Sequence, residues 1–98
     1  MMIPDKNIQK ASEGLKALAH ETRLTIACHL MDGEMCVGDL EKVTNSSQSN
    51  LSQHLFKMKG LGVIVSEKRG QQVYYRIANP AFSGLIKALK VIYCPDLQ

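Results

Sequence analysis

Apolar residues along the chain fall into runs of two different periods. Ile8, Ala11, Leu15, Leu18 and Ala19 recur at the spacing of one helical face and predict a first helix over about residues 7–18. Leu24, Cys28 and Met31 share the inner face of a second helix that begins near Glu21 and is stopped by Asp32-Gly33. Val37, Leu40 and Val43 support a short third helix over about residues 37–44, followed by a tight polar turn at Asn45-Ser46. Ser47 is placed to cap a fourth helix reaching about Lys59, because its hydroxyl can accept from a backbone N–H that the first turn leaves unpaired. Beyond Gly60 and Gly62 the period changes. Residues 63–65 and 73–77 are rich in β-branched and aromatic side chains and flank the polar segment 66–72, which predicts a β-hairpin with a basic tip turned at Gly70. Asn79-Pro80 opens a last helix, with Asn79 as cap and Pro80 at the first position, where its missing N–H costs nothing. Phe82, Leu85, Ile86, Leu89, Ile92 and Tyr93 line one side of that helix and Pro95 ends it.

Four helices, a hairpin and a final helix, with a tight turn between the third and fourth helices, predict a mainly α fold with a small β-hairpin: a winged helix-turn-helix. There is no internal repeat, low-complexity tract or long linker, so residues 1–98 read as a single DNA-binding domain. A chain of 98 residues excludes a large multi-domain enzyme. No apolar run approaches the roughly 18 residues of a membrane span, and residues 1–10 hold no apolar export signal. Three cysteines form no disulfide framework, which fits a reducing cytoplasm and leaves each thiol to be judged singly. No nucleophile–base pair, phosphate loop or carboxylate dyad stands at a useful spacing, so neither an enzyme nor a cofactor is expected.

Charge sharpens this picture. The net charge is +3, but residues 1–41 are net acidic, whereas residues 42–76 carry Lys42, Lys57, Lys59, Lys68, Arg69 and Arg76 against Glu67 alone. A basic block of this kind selects a polyanionic partner. Within it, Leu51, Leu55 and Met58 face inward, leaving Gln48, Ser49, Asn50, Ser52, Gln53 and Lys57 outside. An outward face of Gln, Ser and Asn without carboxylates suits base edges and phosphates: Gln and Asn pair bidentately with adenine, and Ser serves either.

The residues Lys16-Ala17-Leu18-Ala19-His20-Glu21-Thr22-Arg23-Leu24, Val37-Gly38-Asp39-Leu40, Ser47-Gln48-Ser49, Ser52-Gln53-His54-Leu55 and Gly70-Gln71-Gln72-Val73-Tyr74-Tyr75 together resemble the ArsR family of bacterial repressors over nearly the whole chain. The resemblance implies a homodimer on palindromic double-stranded operator DNA. It assigns the recognition segment to Ser47, Gln48, Ser49, Asn50, Ser52, Gln53 and His54, and the wing tip to Lys68, Arg69 and Gln71. Independently, the apolar faces of the first and last helices, Ile8 to Leu18 and the stripe Phe82, Leu85, Ile86, Leu89 and Ile92, exceed what a 98-residue monomer can cover and are expected to form the dimer interface.

What such a protein senses rests on its ligand-forming residues. The family's arsenic and cadmium sensors carry two thiols in a run on the third helix. The matching run here is Cys36-Val37-Gly38-Asp39-Leu40, with Gly38 in place of the second thiol. The zinc sensors place Asp and His on the last helix, where residues 80–94 hold neither. His20, His29 and His54 fall at no ligand spacing, so no metal site is expected. From the residues alone, Cys28 reads as a buried small residue and Cys94 as an exposed thiol near the chain end, and structural and functional readings stay open. A Cys in the second helix with a Tyr-Cys near the C-terminus resembles the persulfide- and sulfide-sensing subgroup, of biofilm growth-associated repressor and hemolysin-regulator type. That resemblance implies Cys28 and Cys94 as a thiol sensor, with a reactive sulfur species or an oxidant as effector; Cys36 departs from the pair pattern and is either a bystander or a competing resolving thiol. Two alternatives remain: a metal- or metalloid-responsive repressor using Cys36 or Cys94, and an antirepressor that activates genes by displacing a silencing protein.

Overall fold

The computed structural model describes residues 2–97. Helix α1 (Asp5–Leu18) starts two residues before the expected position 7, because the Pro4 carbonyl accepts from the N–H groups of Asn7 and Ile8 at 2.9 Å each. Helix α2 (Glu21–Leu30) is capped by the His20 ring, whose Nδ1 accepts from the Thr22 N–H at 3.0 Å. Arg23 then donates from Nε to the Ala17 carbonyl (2.7 Å) and from its guanidinium to the Lys16 carbonyl (3.0 Å), so carbonyls of the last turn of α1 become the anchor for α2.

Helix α3 (Val37–Thr44) ends at Asn45, which takes the left-handed conformation (φ 52°) that an amide side chain tolerates. Two residues later Ser47 caps helix α4 (Gln48–Gly60), its hydroxyl accepting from the Asn50 N–H at 3.2 Å as the sequence predicts. The antiparallel pair β2 (Ile64–Arg69) and β3 (Gln72–Ile77) runs almost to the tip, so most of segment 66–72 is strand rather than loop. Only Gly70 and Gln71 turn the chain. Gly70 has φ +63° and Gln71 does not, the pattern of a type II′ hairpin turn.

One strand was not expected. Met35–Cys36 forms β1, antiparallel to β3 with Met35 opposite Tyr75 and Cys36 opposite Tyr74, which gives the sheet order β1-β3-β2. A two-residue strand has no periodicity to read and exists only through its partner.

Helix α5 (Phe82–Tyr93) also departs from expectation at its start: residues 79–81 form a tight turn instead of a first helical turn. Asn79 Oδ1 accepts from the Ala81 N–H (2.9 Å), and the Asn79 and Pro80 carbonyls accept from Phe82 and Ser83, each three residues on. A 3₁₀ turn, Pro95–Leu97, follows α5.

Ile26 of α2, Leu40 of α3, Leu51, Leu55 and Met58 of α4, and Val63 and Ile64 at the start of the hairpin form the fully buried centre. It fixes α4 against the rest while leaving its other face open. Ile86 of α5 joins this core, and Phe82, Leu85 and Leu89 pack against it. The stripe expected to meet a second subunit therefore covers the chain's own core over much of its length. Val91, Ile92 and Tyr93 at the end of α5 remain exposed, as do Ile8 and Leu15 on α1.

Candidate nucleic-acid interface and thiol cavity

Helix α4 presents Gln48, Ser49, Asn50, Ser52, Gln53 and Lys57 on its exposed side, with Ser47 exposed at the cap. Its first turn has no acidic residue, and Lys57 and Lys59 stand in its last turn. The N-terminal end thus offers free N–H groups and polar side chains, a combination suited to phosphate oxygens and base edges. His54 sits differently. It is half-buried, its ring centroid 4.4 Å from that of His20. Burial, then the neighbouring His20 and Arg23, hold its pKa below the ordinary histidine value, so it favours the neutral form. His54 links α4 to the capped start of α2.

The wing brings Lys68, Arg69 and Gln71 to the exposed tip. Arg69 is already occupied: its guanidinium holds both carboxylate oxygens of Glu34, one at 2.8 Å, reaches Glu67 at 2.9 Å, and lies 4.7 Å from the centroid of the Tyr74 ring. The same Arg69 hydrogen bonds pull the pKa values of Glu34 and Glu67 below the ordinary glutamate range. Among the described residues Lys68 has no ion-pair partner, which leaves it as the free cation of the tip.

A second feature lies between α2 and α5. Leu24, Cys28, Met31 and Asp32 from α2 and its end face Ile86, Leu89, Lys90, Tyr93 and Cys94 from α5 and its cap across a mainly apolar cavity of about 540 Å³. Both thiols line it, although the burial expected from sequence is reversed: Cys28 is exposed and Cys94 half-buried. The physical reason is that Leu24 and Met31 pack against the edge of the core, while Cys28 on the same side of α2 opens onto the gap facing α5. Partial burial, and then the charge of a Cys94 thiolate, push the Cys28 pKa above the ordinary thiol value. Cys36 lies apart from this cavity, on β1 opposite Tyr74. Among the described residues no three His, Cys, Asp or Glu side chains are grouped to hold a metal ion, and no helix is long and apolar enough to cross a membrane.

Residues 20–66, from the cap of α2 into β2, match the bacterial regulatory protein, arsR family. The chain is also 40% identical over 94 residues, 96% of its length and 87% of the relative's, to the transcriptional activator HlyU of Vibrio cholerae. The chain belongs to the ArsR family. Like the family it is a DNA-binding transcription regulator. It is 40% identical to the biofilm growth-associated repressor of Agrobacterium fabrum, over 82% of this chain and 68% of that protein. The structure of reduced HlyU from Vibrio cholerae superposes with a TM-score of 0.82, covering 92% of this chain and 95% of that one. The homodimeric winged helix-turn-helix DNA-binding domain of Mb0332 from Mycobacterium bovis, 26% identical, superposes at 0.83 over 97% of this chain and 91% of that one. The ArsR fold places α3 and α4 as the helix-turn-helix and β2–β3 as the wing. Two residues beside these features lie outside the sequence reading. Glu34 gave no signal, since its partner Arg69 is distant in sequence. Phe56 did give one: it falls on the outward side of the α4 pattern.

Proposed function

We propose that this ArsR protein is a homodimeric repressor that grips a palindromic operator with two copies of α4 and two wings, and lets go when Cys28 and Cys94 become bridged. The observation that carries the switch is the cavity between α2 and α5 with both thiols in its wall. Apolar walls favour a small, uncharged or weakly hydrated effector, and a bridge there ties the end of α5 to the last turn of α2. The exposed apolar ends of α1 and α5 form the subunit contact, so that tie reaches the element that sets the spacing of the two α4 helices.

The chemistry balances with a sulfane-sulfur donor, an organic persulfide RS–SH, as oxidant. One cysteine thiolate attacks the outer sulfur, forming Cys–S–SH while the RS–S bond breaks and its electron pair leaves as RS⁻. The second thiolate attacks the protein-bound sulfur of that persulfide, forming the Cys28–Cys94 disulfide and expelling HS⁻, the reduced product.

The test is operator release after treatment of the reduced protein with such a donor, with intact mass read in parallel. Wild type and Cys36→Ser should release DNA and lose two hydrogens, with whole sulfur atoms gained in addition if the bridge is a polysulfide. Cys28→Ser and Cys94→Ser should bind DNA and ignore the donor. Retained response in either variant refutes the pair, and release by a metal ion or arsenite with the thiols unbridged would instead favour a metalloid sensor using Cys36 or Cys94. That HlyU is described as an activator favours a second reading, antirepression. On a naked template a repressor lowers transcription, whereas an antirepressor acts only when a silencing protein is bound.

A further inference from the structure

Phe56 stands apart from the rest of α4. It is 81% exposed, whereas an aromatic ring ordinarily buries most of its large apolar surface. Ser49, Ser52 and Gln53 precede it by seven, four and three residues, so the four side chains form one row along the solvent face, away from buried Leu51, Leu55 and Met58. Lys57 and Lys59 flank the row, and α4 contains no carboxylate. An apolar partner protein would need a patch. Here the ring is isolated among hydroxyls, amides and ammonium groups, a setting that complements a polyanion bearing scattered apolar points. The major groove of DNA is such a surface, and its apolar feature is the C5-methyl group of thymine.

Resting on the reading of α4 as the groove-bound helix, we infer that Phe56 is a specificity residue that packs against thymine methyl groups, one helical turn along α4 from the bases reached by Gln53. Gln53 and Ser49 read hydrogen-bonding edges, while Phe56 reads a methyl group by removing apolar surface from water. Each half-site then carries a thymine that no hydrogen bond from the protein specifies.

The experiment starts from the duplex that the purified reduced protein selects out of a random pool. Thymines are replaced one at a time by deoxyuridine, which deletes only the methyl group, and binding is compared for wild type and Phe56→Ala. Phe56→Ala removes no buried contact and alanine is a strong helix former, so folding is retained. Wild type should lose about fourfold in affinity at one thymine per half-site, the value of one buried methyl-sized group. Phe56→Ala should bind the thymine duplex correspondingly more weakly and be indifferent to deoxyuridine at that position. A deoxyuridine penalty that persists in Phe56→Ala, or an unchanged affinity of that variant, overturns the inference while Gln53→Ala and Ser49→Ala still weaken binding. If those two variants are silent as well, α4 is not in the groove and both readings fall together.

Discussion

At the scale of single residues, charge and burial set what each side chain can do. Cys28 is held protonated over a wider pH range than a free thiol, first by partial burial and then by Cys94. The sign follows directly: the thiolate is less favourable in the fold than in the unfolded chain, so this contribution is neutral below the ordinary thiol pKa and destabilises the fold as pH rises beyond it. Alkylation of Cys28 by iodoacetamide, followed by mass, should therefore titrate with a midpoint above that of a free thiol, and Cys94→Ser should lower the midpoint. A midpoint unmoved by Cys94→Ser would show that the two thiols do not sense one another. On the wing, Arg69 is shared between Glu34 and Glu67, and an exposed pair of this kind adds little to stability. Its effect is to mask a cation. Glu34→Gln should release Arg69 toward phosphate, raise DNA affinity at low salt and steepen the salt dependence by up to about one unit. Unchanged affinity and slope in a salt titration would mean that Arg69 stays on Glu67 and Tyr74.

At the scale of elements, one residue serves α4 twice. Ser47 accepts from the Asn50 N–H as cap and lies at the exposed end of α4 that the proposed reading turns toward DNA. The two roles separate by substitution. Ser47→Ala should cost about 1 kcal/mol of stability through the lost cap. Ser47→Asp should keep the stability, since aspartate caps as well and its charge suits the helix N-terminus, yet weaken DNA binding about tenfold or more by setting a carboxylate against phosphate. Thermal melts and a binding isotherm distinguish these outcomes, and tight binding by Ser47→Asp would remove the α4 N-terminus from the phosphate contact. The wing is long because strands β2 and β3 stay paired out to Arg69 and Gln72. Its rigidity comes from that ladder and the Gly70 turn, with the Arg69 cluster tying it back to the turn before β1.

At the scale of the whole molecule, the subunit is a slab with extents of 46 × 36 × 21 Å, too thin to bury every apolar side chain its helices carry. Ile8, Leu15, Val91 and Ile92 are left exposed at its α1 and α5 ends. Ile92→Glu touches this uncovered surface and spares the core and cavity wall, unlike Leu89→Glu, since Leu89 packs against the core. In sedimentation at micromolar concentration wild type should be a dimer and Ile92→Glu a monomer with the same circular dichroism, unable to hold a two-half-site operator. A monomeric wild type would defeat the symmetric reading of the operator.

The amino-acid sequence by itself determined the five helices, the hairpin and the outward polar face of α4, because helical period, caps such as Ser47 and the change of pattern after Gly62 act over a few residues. The basic block and the ArsR motifs were likewise legible, since charge and spacing survive without coordinates. The late start of α5 comes from local turn hydrogen bonds at residues 79–83 that compete with a first helical turn, whereas strand β1 depended on the tertiary structure, because only its pairing with β3 makes it a strand. The same holds for the chemistry. The family resemblance marked Cys28 and Cys94 as candidates, but only the packing of α5 over α2 put both in one cavity wall and reversed their exposure. Arg69 read as a free cation until the fold brought Glu34 to it across 35 residues, a juxtaposition that no local pattern encodes.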